Sequence, residues 1–279
     1  MRRLSGLKLI LLVLFSMVIG NVHATQDKDF QKAVKALEWR NIGPFIGGRG
    51  SSVVGHPTDR QVFWFGHSSG GLWRTDDAGA YWTHVGQGQF RYASVGAIAL
   101  HEKNPDIMYV GLGEPQMRQS ASWGDGVYKT IDGGETWQHL GLDEARQISQ
   151  IIIHPDNPDQ VYVSSMGHAW GPNPERGVFR TKNGGKSWEK VLFKNDLTGT
   201  IDMVMSPKDP NVLFAAMWTF ERKAWGAIFG GPDSGLWKST DGGDNWTEIT
   251  RNKGLPEGSW GRVGLTMSAA DPNRVSALI

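Results

Sequence analysis

A glycine-to-tryptophan motif that recurs along the chain constrains the fold more than any other feature of this sequence. Its first copy reads GLWRTDDAGAYW, and the four copies occupy residues 71–82, 126–137, 177–188 and 235–246. They recur at intervals of about 50–60 residues, a period that is typical of propellers and other repeat arrays. The repeat therefore decides the fold class.

Each motif is preceded by a second repeated stretch, so that a whole unit contains four short runs rich in β-forming residues. Two runs flank a turn with Pro and Asp, as in SQIIIHPDNPDQVYVS, and two more flank the turn inside the motif. Short runs bounded by Gly, Pro and Asp predict strands, here named A to D. Four strands per unit are typical of a propeller blade, so the predicted fold is all-β, a β-propeller of four-stranded blades.

The repeats also predict how the chain is organised. We expect a signal peptide at residues 1–24, a lead-in at 25–38 with a helix near 29–37, and a partial propeller at 39–279. The predicted blades cover 49–86, 94–142, 148–194 and 200–250, and an incomplete fifth covers 261–279. By this interpretation the chain is truncated and forms the N-terminal part of a longer propeller.

The first residues have the three parts of a secretory signal peptide. Arg2, Arg3 and Lys8 supply positive charge. An apolar run at residues 9–19 follows, and small residues precede a cleavage point after Ala24. The apolar run is short for a membrane helix. The sequence therefore predicts a secreted or periplasmic protein with no stable membrane span once the signal has been removed.

Composition excludes several kinds of site. The chain contains no cysteine, which removes disulfides, zinc–thiolate sites and thiol nucleophiles. Its 29 Lys and Arg residues nearly balance its 28 Asp and Glu residues without forming a basic stripe, so nucleic acid is not an expected partner. The histidines show no metal-ligand spacing, so neither a metal site nor a cofactor is predicted.

The polar residues of the repeated motif are predicted to be structural. An Asp or Asn side chain can accept hydrogen bonds from its own turn, and the glycine two residues later allows a positive φ. Because Asn stands in for Asp in the third copy, a metal-binding or catalytic role is disfavoured. The closing tryptophans are predicted to be largely buried. The residues concerned are Asp77, Trp82, Asp132, Trp137, Asn183, Trp188, Asp241 and Trp246.

Binding residues are predicted on one face of the propeller. In an up-and-down blade the A–B and C–D turns share one face, whereas the B–C loops lie on the other. The B–C loops at residues 112–125, 167–176 and 217–234 are long and unlike one another, and variable loops on a rigid frame are where binding usually occurs. Their aromatic and charged side chains favour a carbohydrate or peptide ligand. The predicted ligand-binding residues are Arg118, Trp123, His168, Trp170, Arg176, Arg222 and Trp225.

The repeated motif resembles the Asp box, or BNR repeat, known from sialidases, sortilin-type receptors and xyloglucanase-related propellers. The segment WRNIGPFIGGRG at residues 39–50 and the stretch SWGDGVYKTIDGG are similar to those of bacterial sortilin-N-terminal-like and glycosyl-hydrolase-like proteins. The resemblance covers nearly all of the chain after the predicted signal peptide. It implies a β-propeller but no single activity, because the same fold carries hydrolases and receptors.

The resemblance implies a glycan-binding propeller related to glycosyl hydrolases, with sortilin-like peptide or protein binding and no enzymatic activity as the alternative. A glycosidase needs two carboxyl groups across the scissile bond, and Glu114, Asp125 and Glu175 are the candidate catalytic residues. Xyloglucanases place a catalytic Asp in the first blade, where the matching stretch of this chain has Ser68. A hydroxyl is no general base at neutral pH without an activator, so the sequence leaves open whether the chain is an enzyme.

Overall fold

The computed structural model describes residue 32 and residues 49–279. The predicted signal peptide therefore lies outside the described residues, as do the predicted lead-in and its helix apart from residue 32. The described residues 49–279 belong to one compact unit, and all of the strands named below lie in it.

Four antiparallel sheets follow one another along the chain, each with its four strands hydrogen-bonded in sequence order. The first contains β1 (Gly50–Gly55), β2 (Phe63–His67), β3 (Gly71–Thr75) and β4 (Thr83–Val85). The second contains β5 (Val95–His101), β6 (Asn104–Leu112), β7 (Val127–Thr130) and β8 (Gln138–His139). The third contains β9 (Ile148–His154), β10 (Asn157–Ser165), β11 (Gly177–Thr181) and β12 (Glu189–Leu192).

The fourth sheet carries an insertion. Its strands are β13 (Thr198–Met205), β14 (Leu213–Thr219), β17 (Gly235–Ser239) and β18 (Thr247–Glu248), and a hairpin of β15 (Glu221–Lys223) and β16 (Gly226–Ile228) interrupts its B–C loop. A two-stranded sheet of β19 (Gly264–Ser268) and β20 (Asp271–Leu278) follows. Between residues 49 and 279 the helical content is one 3-10 turn, Asp143–Ala145. Among the described residues no helix is long and apolar enough to cross a membrane. These four-stranded sheets confirm the predicted all-β fold class.

The apolar core lies between neighbouring sheets. Leu72 of the first sheet packs in one cluster with Met108 and Val110 of the second, and all three side chains are fully buried. Tyr162 of the third sheet packs in the same way with Leu213 of the fourth. Each sheet therefore gains its stability from its neighbours, as the blades of a propeller do.

Two tyrosines at the same position of strand B also join successive sheets. Tyr109, in β6, donates its hydroxyl hydrogen bond to the Pro158 carbonyl of the third sheet at 2.9 Å. Tyr162, in β10, donates to the Gly242 carbonyl of the fourth sheet at 2.8 Å. Both rings are fully buried, and these bonds satisfy hydroxyls that would otherwise be costly to remove from water.

Hydrogen bonds within the repeated motif shape the C–D turns. Asp77 Oδ1 accepts a 2.7 Å bond from the Thr75 hydroxyl and a 2.9 Å bond from the Tyr81 N–H. The N–H of Gly79, whose φ is +97°, donates to Thr75 Oγ1 at 2.9 Å. The other three motifs make the same bonds, including the one in which Asn183 replaces Asp. The side-chain oxygen serves the turn, and an amide oxygen makes the same contacts as a carboxylate.

The tryptophans that close the motifs are less buried than predicted. Trp137, Trp188 and Trp246 are half-buried, and 40% of Trp82 is exposed. Each of the first three packs at the boundary with the preceding sheet instead of inside its own, as when the Trp188 N–H donates to the Leu140 carbonyl at 2.8 Å. Trp82 belongs to the first sheet, and the described residues contain no sheet before it.

Candidate functional site

The three long B–C loops lie on the face opposite the Asp-box turns, because successive antiparallel strands end on alternate faces. The loop between β6 and β7 reaches across the others. Its Met117 is 6% exposed and packs in one cluster with Ala169, from the B–C loop of the third sheet, and Phe220, from the B–C loop of the fourth sheet. The backbone N–H of Arg222 donates to the Ala169 carbonyl at 2.7 Å, which ties the β15–β16 hairpin to the B–C loop of the third sheet. The loops therefore form one connected surface.

A pocket of about 420 Å³ opens on this surface between the loops of the second and fourth sheets. It is lined by Arg49, Met117, Arg118, Gln119, Ser120, Arg222 and Phe229. Three of these residues are arginines, and none is acidic. Two of them, Arg118 and Arg222, were predicted from the sequence as ligand-binding residues, and the structure places both at one pocket.

Arg49 is held in this pocket by a buried carboxylate. Its Nε donates to Oε1 of Glu114 and its Nη2 to Oε2 at 2.8 Å, while Nη2 also donates to the Ser120 carbonyl at 3.2 Å. Glu114 is fully buried, and its hydrogen bonds and charge raise the pKa of Arg49. The Ser68 hydroxyl donates to the Arg49 carbonyl at 2.7 Å, so Ser68 supports the backbone of Arg49.

The other two guanidinium groups of the pocket have no such partner among the described residues. Within residues 49–279 the side chains of Arg118 and Arg222 make no hydrogen bond or ion pair. Arg118 is exposed and Arg222 is half-buried. Their charge is therefore available at the pocket surface.

One aromatic residue lines the pocket, and two others lie on neighbouring backbone. Trp170, which is 45% exposed, forms a β-bridge with Arg222 and so lies beside the lining. Phe229 lines the pocket and is 56% exposed, whereas Trp225 is 86% exposed at the turn of the β15–β16 hairpin. This combination of exposed rings and polar side chains is common in sites that bind sugars.

Two further predicted residues lie outside the pocket lining, toward the third sheet. Trp123 is 47% exposed, and the guanidinium of Arg146 lies 5.4 Å from its ring centroid, a cation–π contact. His168 is half-buried. Its burial is the larger cause that lowers its pKa, and the positive charge of Arg176 lowers the pKa further. They extend the aromatic and polar surface beyond the pocket.

Arg176 has a different role from the predicted one. It is fully buried and donates to the carbonyls of Leu197, Phe220 and His168, each at 2.9 Å. Burial lowers its pKa to about 10. Its hydrogen bonds tie the B–C loop of the third sheet to the fourth sheet. We therefore do not count Arg176 among the candidate ligand contacts.

The candidate catalytic carboxylates do not meet in one described pocket. Glu114 is bound to Arg49, as described above. Asp125 is buried, accepts a 3.0 Å bond from the Tyr128 hydroxyl and lines a separate pocket of about 430 Å³ between the first and second sheets. Glu175 is half-buried and lines neither pocket. No group of three His, Asp or Glu side chains in the described part of the chain is arranged to hold a metal ion.

Sequence reasoning missed several residues of the pocket. Arg49 precedes β1, and Met117, Gln119 and Phe229 had no distinguishing pattern in their loops. A glycine-rich neighbourhood, GGRG, is the one local feature at Arg49, and it carries no information about a partner in another sheet. These residues are recognised only by their proximity in the folded chain.

Known proteins support the fold and the repeat. The Sortilin-Vps10 family model, described as sortilin, neurotensin receptor 3, matches residues 125–262. A xyloglucanase of a Paenibacillus species is 26% identical over 254 residues, which cover 77% of this chain and 22% of that enzyme. An oligoxyloglucan-reducing end-specific xyloglucanase of Emericella nidulans is 31% identical over 134 residues, which cover 46% of this chain and 14% of that enzyme.

The structure of an ancestral GH74 enzyme superposes with a TM-score of 0.59 and 18% identity, covering 82% of this chain and 29% of that enzyme. The chain thus spans under a third of the length of each of these relatives. The stacked four-stranded sheets define a β-propeller. The chain is similar to Asp-box (BNR-repeat) propeller proteins of the sortilin type and the xyloglucanase type.

Proposed function

We propose that the chain is an exported propeller protein that binds oligosaccharides through its B–C face. The observation that carries the proposal is the convergence of two B–C loops and Arg49 on one pocket, with the exposed ring of Phe229 in its lining. The similarity to xyloglucanases supports a carbohydrate ligand. Export rests on the predicted signal peptide, and a mature N-terminus at Thr25, read by mass spectrometry, would support it.

The contacts of the loops explain why this surface can hold a sugar. Met117 and Phe220 anchor the B–C loops of the second and fourth sheets in a shared buried cluster, so the edge of the pocket is held by apolar packing. The rings of Trp170 and Phe229 offer faces for the C–H groups of a pyranose, and Ser120 and Gln119 offer hydrogen-bond partners for hydroxyls. A preformed surface of this kind loses little conformational entropy when it binds.

Binding, and not hydrolysis, is the proposed activity. Hydrolysis requires two carboxyl groups at about 5–10 Å across the bond. Glu114 is instead engaged by Arg49, and Asp125 by Tyr128, at different pockets. Release of reducing sugar from xyloglucan should be measured beside binding, since turnover would add a catalytic role to the proposed one.

Calorimetric titration of the purified chain with xyloglucan oligosaccharides tests the proposal. Trp170→Ala should weaken binding by about tenfold, the effect of losing an aromatic contact worth about 1.4 kcal/mol. Tyr81→Ala is the matched control, because Tyr81 is 81% exposed in an Asp-box turn on the opposite face. Equal losses in both variants, or no binding of any oligosaccharide, would contradict the proposal.

Peptide binding is the second candidate function, and the match of residues 125–262 to the sortilin family model favours it. The matched range includes the third and fourth B–C loops. A peptide library screened on the same chain distinguishes the two functions. Peptides that bind while oligosaccharides do not, with affinity reduced by Trp170→Ala, would support this candidate over the first.

A further inference from the structure

We propose that the ligand of the pocket is an acidic oligosaccharide, one whose uronic acid carboxylate is bound by the arginines. This inference rests on the proposed function and names the substrate class of that same site. Its basis is the charge of the lining, which contains three arginines and no acidic residue.

Only one of the three positive charges is neutralised by the protein within the described residues. Glu114 lies behind Arg49 and binds it through two hydrogen bonds. Arg118 and Arg222 have no ion-pair partner in residues 49–279. Like charges gathered at one pocket repel one another, and a bound anion offsets that repulsion. The excess of positive charge therefore points to an anionic ligand.

The geometry suits a carboxylate in particular. A guanidinium presents N–H groups in a planar fork that can bind both oxygens of a carboxylate. Glu114 and Ser120 occupy the Nε and Nη2 donors of Arg49, so that Nη1 is its donor without an acceptor among the described residues. The Glu114 pair fixes the plane of this guanidinium before a ligand arrives, and a preordered donor costs little entropy on binding. The complete forks available to a carboxylate are those of Arg118 and Arg222.

The rest of the lining favours a sugar as the carrier of the carboxylate. Phe229 provides an apolar face, and Ser120 and Gln119 provide polar groups around it. A volume of about 420 Å³ falls within the range of small-ligand sites and admits one or two sugar rings. The β-bridge between Trp170 and Arg222 brings the backbone of a further exposed aromatic residue beside the lining.

The positive character belongs to this pocket and is not a general property of the surface. The separate pocket between the first and second sheets has Arg91 as its arginine, together with the acidic Asp125 and Asp143. The chain as a whole has nearly equal numbers of basic and acidic residues. Selection among ligands by charge should therefore depend on the arginines of the B–C face.

The test is a calorimetric titration of the full chain with trigalacturonate, with its methyl ester and with a neutral xyloglucan oligosaccharide. The acid and its ester have the same rings and differ in charge. We expect the acid to bind at least about tenfold more tightly than the ester, and this difference to shrink as NaCl is raised. Binding of the neutral ligands should survive at the lower affinity.

Variants then locate the effect. Arg118→Gln and Arg222→Gln should each weaken binding of the acid by about tenfold and leave binding of the ester unchanged. Arg60→Gln is the matched control, because Arg60 is exposed in an A–B turn on the opposite face and removes the same charge. A thermal melt of each variant checks that the fold is kept.

The outcomes separate this inference from the proposed function. Equal affinity for acid and ester overturns the inference while oligosaccharide binding stands. An equal loss in Arg60→Gln also overturns it, because the effect would then be one of net charge. Failure of all three oligosaccharides overturns the proposed function as well. Binding of a peptide carboxylate without binding of trigalacturonate overturns the assignment to sugars.

Discussion

The indole N–H of Trp188 lies 2.8 Å from the carbonyl oxygen of Leu140, so that the third sheet is hydrogen-bonded to the second through a side chain of its Asp box. The rest of the ring packs against the apolar cluster between these two sheets. The motif thus stabilises the boundary between blades as well as its own turn. Its contribution should depend on whether a preceding sheet is present.

Trp188→Ala should lower the free energy of unfolding by about 3 kcal/mol, because it leaves a cavity at the boundary and an unpaired carbonyl. Trp82→Ala is the matched comparison, since 40% of Trp82 is exposed, and should cost less than about 1 kcal/mol. Urea unfolding followed by tryptophan fluorescence measures both. Equal losses would show that the indoles contribute within their own sheets.

Asp132→Ala should lower the melting temperature, whereas Asp132→Asn should keep most of it. The Asp132 Oδ1 accepts bonds from the Thr130 hydroxyl at 2.6 Å and the Thr136 N–H at 2.9 Å, and an amide oxygen can accept both. Asn183 already does so in the third copy. Differential scanning calorimetry at neutral pH distinguishes the variants. A melting temperature of Asp132→Asn as low as that of Asp132→Ala would mean that charge is required.

The Asp boxes should also make stability depend on pH in the acid range. Hydrogen bonds from Asn245 and Ser239 lower the pKa of Asp241 to about 2, and similar bonds lower the pKa of Asp77. Because the pKa in the folded state lies below the value of about 3.9 in the unfolded chain, the stabilisation is present above pH 4. It is lost as the pH falls toward 2.

Melting temperatures of the wild type and of Asp241→Asn between pH 6 and pH 2 measure this effect. The variant cannot titrate at this position, so its melting temperature should fall less steeply with acid. Parallel curves for the two proteins would contradict the prediction. Asn183 gives the third box no such dependence.

Arg176→Met should destabilise the fold by about 3 kcal/mol, since three buried carbonyl groups lose their donor. Arg176→Lys should recover little of this, because an ammonium group does not reproduce the planar fork. Arg60→Met, at an exposed turn, is the control. Chemical denaturation gives the three values. A stable Arg176→Met variant would show that hydrophobic packing replaces these hydrogen bonds without loss.

The strands and the Asp-box turns could be predicted because their causes are local. The Thr75–Asp77 bond and the positive φ at Gly79 arise within five consecutive residues, and the repeated pattern showed them four times. The burial of the closing tryptophans was predicted less well. It depends on which sheet lies next to each ring, and a repeat treats all copies as equivalent.

The repeat period, the turn residues and the variable loops were thus sufficient to identify a propeller and the face on which binding is expected. Only the tertiary structure separated Arg176, whose guanidinium is buried on backbone carbonyls, from Arg118 and Arg222, which line the pocket. It also brought Arg49 to Glu114. The physical reason is that a turn is decided by hydrogen bonds between near neighbours. The burial and pairing of a charged side chain are decided by residues that are distant in the chain and meet only when the sheets pack.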